Sequence, residues 1–268
     1  MLIRVMASRH SAFYSPLLCT VKFLRQEGCD APYSVLGPGQ RTHVLIRDGA
    51  VDVMQSAVSS NWNARERGIE PLPVHFAQIN RRDGFFLTAS QPDDGFEWKK
   101  LEGATLLADQ GAQPLAMLKY AVRHNDVDWK KIKVVRSGPA DYGHYQAPIP
   151  AGEVVASVGA AMPPVAFSSV CCARSYQRTE NYAIFRNTFE RAKEWVRTAP
   201  AEEVAAAEAE FFPDIPIVAL TDSVRRYQAL GCWDGGLEIP RDLYEQALNV
   251  FAAFGEITWR HPYEEVVG

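Results

Sequence analysis

The sequence predicts a mixed α/β protein that ends in a helical tail, and three observations carry the prediction. Short β-branched runs alternate with helix-spaced segments over the first third of the chain, and a second unit of the same kind occupies the middle. From about residue 175 the apolar residues recur at helical spacing, with Pro200, Pro213 and Pro240 marking helix starts. The chain has 268 residues, 47% of them hydrophobic, which is enough to bury a sizeable core. Its 18 Gly and 17 Pro are scattered, which favours many turns over a coiled coil or a collagen-like repeat.

Residues 2–7 form an apolar, β-branched run that reads as a strand, followed by the polar loop Ser8, Arg9, His10 and Ser11. Over 14–26, Leu17, Leu18, Val21 and Leu24 share one helical face before Gly28 stops the helix. Residues 33–36 alternate as a strand, Gly37-Pro38-Gly39 turns the chain, 42–47 read as a short helix and 51–55 as the next strand. A brief polar helix is expected over 61–68, then strands over 74–79 and 84–89, separated by the charged turn 81–84. In the middle unit, a strand over 104–108 runs into Asp109 to Pro114 and a helix over 115–124, and 131–135, 140–145 and 153–158 are strand-like. The tail predicts helices over 176–198, 202–212, 217–230 and 241–254.

The formal charge of −4, with no Lys or Arg run longer than two, offers no basic face for phosphates, so nucleic acid is not an expected partner. No stretch reaches the roughly 18 apolar residues of a membrane helix, so no direct membrane insertion is expected. The first eight residues are too short and strand-like to read as a signal peptide. Cys19, Cys29, Cys171, Cys172 and Cys232 form neither a C-x-x-C pair nor a zinc spacing and read as small buried residues. An odd cysteine count fits a reducing compartment, and it fits equally a chain whose leader has been removed. The expected location is therefore periplasmic in the second case and cytoplasmic in the first.

Several segments, in order, resemble the type II periplasmic solute-binding fold, specifically the aliphatic-sulfonate and thiamine-pyrimidine-precursor binding proteins. They are residues 48–54 (Asp-Gly-Ala-Val-Asp-Val-Met), 98–107 (Trp-Lys-Lys-Leu-Glu-Gly-Ala-Thr-Leu-Leu), 138–143 (Gly-Pro-Ala-Asp-Tyr-Gly) and 254–259 (Phe-Gly-Glu-Ile-Thr-Trp). Each is a common strand or turn phrase, and it is their order along nearly the whole chain that carries the likeness. The resemblance implies two lobes, each a mixed sheet flanked by helices: 1–86 with 173–268, and 87–172. The helical tail would pack back on the first lobe, and the crossings between lobes would fall near 86–90 and 166–172. The chain departs from the pattern between 135 and 153, where it is too short for the loops and helices the family usually has.

The function this implies is a solute-binding component, the partner of an ABC permease or a soluble relative of one, closing two lobes on a small organic ligand as a monomer without a cofactor. In open α/β sheets, ligands sit beyond the carboxyl ends of strands. That rule selects His10, Phe13 and Tyr14 after the first strand, and Ser56, Ala57 and Trp62 after the third. In the second lobe it selects Gln110, Gly111 and Gln113, and His144, Tyr145 and Gln146. Gly111 permits close backbone approach and Pro114 opens a helix. Ser59, Ser60 and Asn61 read equally as helix caps, Phe13 and Tyr14 equally as core, and Arg9 could pair an anion if it points inward. The alternative is a cytoplasmic enzyme of the same fold acting on a cofactor precursor or an aromatic acid, with His10, His144 and Asp109 as acid/base candidates. No Ser/His/Asp order, H-E-x-x-H, Walker loop or G-x-G-x-x-G supports that alternative.

Overall fold

A computed structural model describes residues 1–108, 112–136 and 153–268. The opening apolar run becomes β1 (Val5–Ala7), all three residues buried, and the loop after it leads into α1 (Ser15–Gln26), whose inner face holds Leu17, Leu18, Val21 and Leu24. Then come β2 (Tyr33–Val35), α2 (Thr42–Arg47), β3 (Val53–Ser56), α3 (Val58–Arg65) and β4 (Val74–Asn80). Every residue of β3 and β4 is buried. A second group follows: β5 (Phe86–Ala89), β6 (Thr105–Ala108), α4 (Ala112–His124), β7 (Lys133–Arg136) and β8 (Glu153–Ser157). The chain closes with β9 (Ser168–Cys172), α5 (Glu180–Thr198), α6 (Ala201–Glu208), α7 (Ile217–Ala229), α8 (Arg241–Ala252) and α9 (Tyr263–Val266).

Five strands form one sheet in the order β2-β1-β3-β9-β4. β1 runs parallel to β2 and β3, and β9 is antiparallel to both β3 and β4. The carboxyl ends of β1, β2, β3 and β4 and the amino end of β9 therefore share one edge of the sheet. The second group makes two strand pairs, β5 with β8 antiparallel and β6 with β7 parallel. The helical tail returns to the large sheet: α5 packs on α1, and buried Lys193 of α5 donates to the carbonyls of Gln78 on β4 and Gly236, at 2.9 and 2.7 Å. The strand–helix alternation, the two groups of strands and the helical end follow the sequence expectation.

The crossings differ from it. Residues 86–89 are β5 itself, and 168–172 are β9, a member of the large sheet. Ser168 to Cys172 is buried throughout, and a short run buried on both faces reads in sequence like any extended connector. The chain passes between the strand groups over 81–85 and 158–167. These two segments are held together by Val158 N–H donating to Phe85 O (3.0 Å) and Val165 N–H to Arg81 O (2.9 Å), and Phe167 N–H ties the second to Asn80 O at the end of β4 (3.1 Å).

Two helix starts also move. α3 begins at Val58 rather than near 61, with Ala57 as an N-cap that offers no side-chain hydrogen bond. In the tail, Tyr176–Arg178 is a separate tight turn, because the Thr179 hydroxyl accepts from Tyr182 N–H and starts α5 afresh. The strand expected over 140–145 lies outside the described residues.

Candidate functional site

The shared sheet edge opens into a cavity of about 360 Å³. Ser8 and Arg9 enter from the end of β1, Leu36 from the end of β2, and Gln55 and Ser56 from the end of β3. Ala57, Ser59 and Ser60 bring the start of α3, and Gln113 and Pro114 bring the start of α4 from the second strand group. Tyr14, Phe85 and Phe167 supply aromatic walls, the last two from the crossing segments. The cavity is thus bounded by both strand groups and the passage between them.

Its polar shelf is pre-ordered. The Ser8 hydroxyl and backbone N–H both donate to Gln55 Oε1, at 2.6 and 3.0 Å, and the Ser56 hydroxyl donates to Ser60 Oγ at 3.0 Å. Burial pushes the Tyr14 phenol up to about 12, so it stays a neutral donor at any ordinary pH. Ala57 gives no side-chain cap and Ser60 N–H is taken by Ala57 O at 2.9 Å, so it is the Val58 and Ser59 N–H groups that α3 offers to a polar ligand group. The charge on the walls has one sign. Arg9, Arg41 and Arg67 line the cavity, and no described lining residue is Asp or Glu.

Gln113 spans the cavity. Its Oε1 accepts from the Ser59 hydroxyl of α3 at 2.6 Å, and its Nε2 donates to Phe167 O of the crossing at 2.6 Å. It is buried. Gln113→Leu keeps the volume but strands both partners, each costing about 1–3 kcal/mol if it stays dry. Separation of α3 from α4 would let water reach them. The expected result is a more open molecule, read as a larger radius of gyration in small-angle X-ray scattering; a Gln113→Leu profile superimposable on wild type refutes the bridging role.

Of the residues selected from sequence, Tyr14, Ser56, Ala57 and Gln113 line the cavity. Three others are elsewhere. His10 is turned to the tail, its Nε2 2.6 Å from Phe211 O, its Nδ1 3.2 Å from Tyr33 Oη, and its ring 4.3 Å from that of Phe212. Phe13 is core: its ring packs on Phe167 and Tyr227, and its carbonyl accepts from Asn80 Nδ2 and Trp233 Nε1. Trp62 is fully buried among Tyr244 and Phe251, donating its indole N–H to Tyr244 Oη at 2.8 Å. It lies one helical turn past the start of α3, on the face opposite the cavity. Asp109, Gln110, Gly111, His144, Tyr145 and Gln146 lie outside the described residues.

Ser59 and Asn61 do not cap a helix: Ser59 reaches Gln113, and Asn61 Nδ2 donates to Pro73 O at 2.7 Å. Gln40, Arg41, Thr42, His43, Asn63 and Arg67 also line the cavity and were not selected. The strand-end rule, applied to the second strand as it was to the first and third, reaches 40–43. Nothing in the sequence marks Phe85, Phe167 or Arg67, which depend on where the crossings and the end of α3 fall.

No protein-family model matches the chain. YtlA of Bacillus subtilis (strain 168), a candidate binding protein, is 23% identical over 290 residues, covering 99% of this chain and 87% of that one. The structure is similar to that of the periplasmic aliphatic sulphonate binding protein SsuA from Escherichia coli, with a TM-score of 0.67 at 12% identity over 99% of this chain and 97% of that one. It is similar also to an ABC transporter protein from Parabacteroides distasonis, with a TM-score of 0.68 at 12% identity over 100% and 98%. The chain has the type II periplasmic-binding-protein fold.

Proposed function

We propose that the protein is a solute-binding component of an ABC importer that closes two lobes on a small organic anion. The large sheet with the tail helices makes one lobe, and the described residues between 86 and 157, which hold β5, β6, β7 and β8, make the other. The observation that carries the reading is the cavity at the shared strand edge, bounded by both lobes, polar at its floor and lined by cationic but no acidic side chains among the described residues. The SsuA likeness supports the choice of anion, since that protein is named for a sulphonate. An ABC permease is the second partner, and the role places the protein on the outer side of the cytoplasmic membrane. No described helix is long and apolar enough to cross a membrane.

The test is a thermal-shift screen of the purified protein against sulfonates, aromatic carboxylates, pyrimidines, polyamines and pyridoxal phosphate, followed by mass spectrometry of each hit. Binding to the folded state alone at a hundred times Kd stabilises by about 2.7 kcal/mol. A saturable rise in Tm with an anion recovered unchanged is the expected result. Preference for polyamines would overturn the anion, and consumption of the hit would replace a binding protein with an enzyme.

A further inference from the structure

The cavity is longer than one anionic group needs, and its two ends differ. The inner end is the start of α3, with Ser56, Ala57 and Ser60 beside Gln113. The outer end is formed by Arg41 and His43, where α2 begins, and by Asn63 and Arg67, where α3 ends. α3 runs eight residues, from Val58 to Arg65, so at 1.5 Å per residue the ends are separated by roughly 12 Å along the helix.

The arginines of these two helices fall into two sets. Arg47 and Arg65, outside this cavity, are neutralised: Arg47 by Asp48 at 2.8 Å, and Arg65 by Glu70 and Glu265. Arg41 and Arg67, which line it, have no hydrogen-bond acceptor and no carboxylate partner among the described residues. The His43 imidazole beside them is held below its ordinary value, by burial first and then by the charges of Arg41 and Arg47. An unpaired guanidinium pair flanking a cavity is suited to a planar or tetrahedral oxyanion.

We propose that the outer end, built from Arg41 and Arg67, is a second anion subsite, and that the ligand is an elongated molecule with a negative group at each end. This rests on the solute-binding reading and deepens it. The inner end orients one anionic group at the α3 amino terminus, while the guanidiniums select for the second.

Titration calorimetry with butane, hexane and octane monosulfonates and their α,ω-disulfonates tests it. The expected result is that at least one disulfonate binds about tenfold more tightly than its monosulfonate, a difference of about 1.4 kcal/mol. In Arg41→Gln/Arg67→Gln the gap closes, the disulfonate losing about tenfold more affinity than its monosulfonate. Both arginines are exposed, so that variant is expected to melt as wild type does. Independently of any variant, disulfonate binding should weaken more steeply with added salt. Equal affinity within every wild-type pair, or a gap that survives in the variant, overturns the second subsite and leaves the solute-binding reading standing. Binding of neither series overturns both.

Discussion

Gly159→Ala is expected to destabilise the protein by about 3 kcal/mol or more, well beyond the usual effect of one methyl group. A Cβ at Gly159 would stand 2.0 Å from the carbonyl oxygen of Asp83 and 3.0 Å from its carbon, so the obstacle is backbone and no rotamer can relieve it. The crossing segments would have to part where Val158 N–H meets Phe85 O and the Arg82 guanidinium meets Gly159 O at 2.9 Å. Gly95→Ala is the control, since its nearest neighbour outside the adjoining residues is Asp93 Oδ1 at 3.8 Å. Urea midpoints should fall for the first variant and stay within about 0.5 kcal/mol for the second. A Gly159→Ala protein as stable as wild type would show that the segments yield at no cost. The same close approach recurs at Gly84, where a Cβ would fall 2.3 Å from the buried Phe13 ring.

That packing explains what the sequence could and could not disclose. The apolar periods of α1, β3 and β4 and of the tail are local signals, and each became an element of the expected kind, although α6 ends at Glu208 and it is Pro216, not Pro213, that stands at the start of α7. Phe13 could be read as cleft wall or core with equal justice, because its place depends on Gly84 and Phe167, which are close to it only after both crossings are in position. His10 could not be placed without the turn after α6, some two hundred residues away, whose Phe211 carbonyl it meets. The strand-end rule found Ser56, Ala57 and Gln113 since it uses topology, and it missed Arg67, which reaches the cavity from the far end of α3. Residues brought in by helix length or by chain crossings leave no mark in a local pattern.

Asp83 gives the crossing a pH signature. Its Oδ1 accepts from Phe85 N–H at 2.6 Å, its Oδ2 has no partner among the described residues, and it is 1% exposed. Burial raises its carboxyl from 3.8 to about 7. An acid whose folded value is raised is fully compatible with the fold below its unfolded value. As pH climbs from about 4 to about 7 the unfolded chain gives up a proton that the folded chain keeps, so stability falls over that window and levels off above it. At 1.36 kcal/mol per unit the loss is about 4 kcal/mol at most. Glu208, buried between helices and raised to about 8, acts in the same direction. His75, lowered to about 3 by burial, acts in the opposite sense, costing stability below its unfolded value of 6.5. With two acids against one base between pH 4.5 and 6.5, and the acids alone above that, these three buried groups make the protein more stable at pH 5 than at pH 8. Asp83→Asn retains the acceptor for Phe85 and cannot ionise. It should be more stable than wild type at pH 8 by about 2 kcal/mol or more and keep only the part of the slope that Glu208 and His75 together set. Urea unfolding of both proteins at the two pH values decides it: an unchanged slope in Asp83→Asn would mean that the crossing carboxylate is hydrated and ionised in the native protein, and that the two segments part more readily than their hydrogen bonds imply.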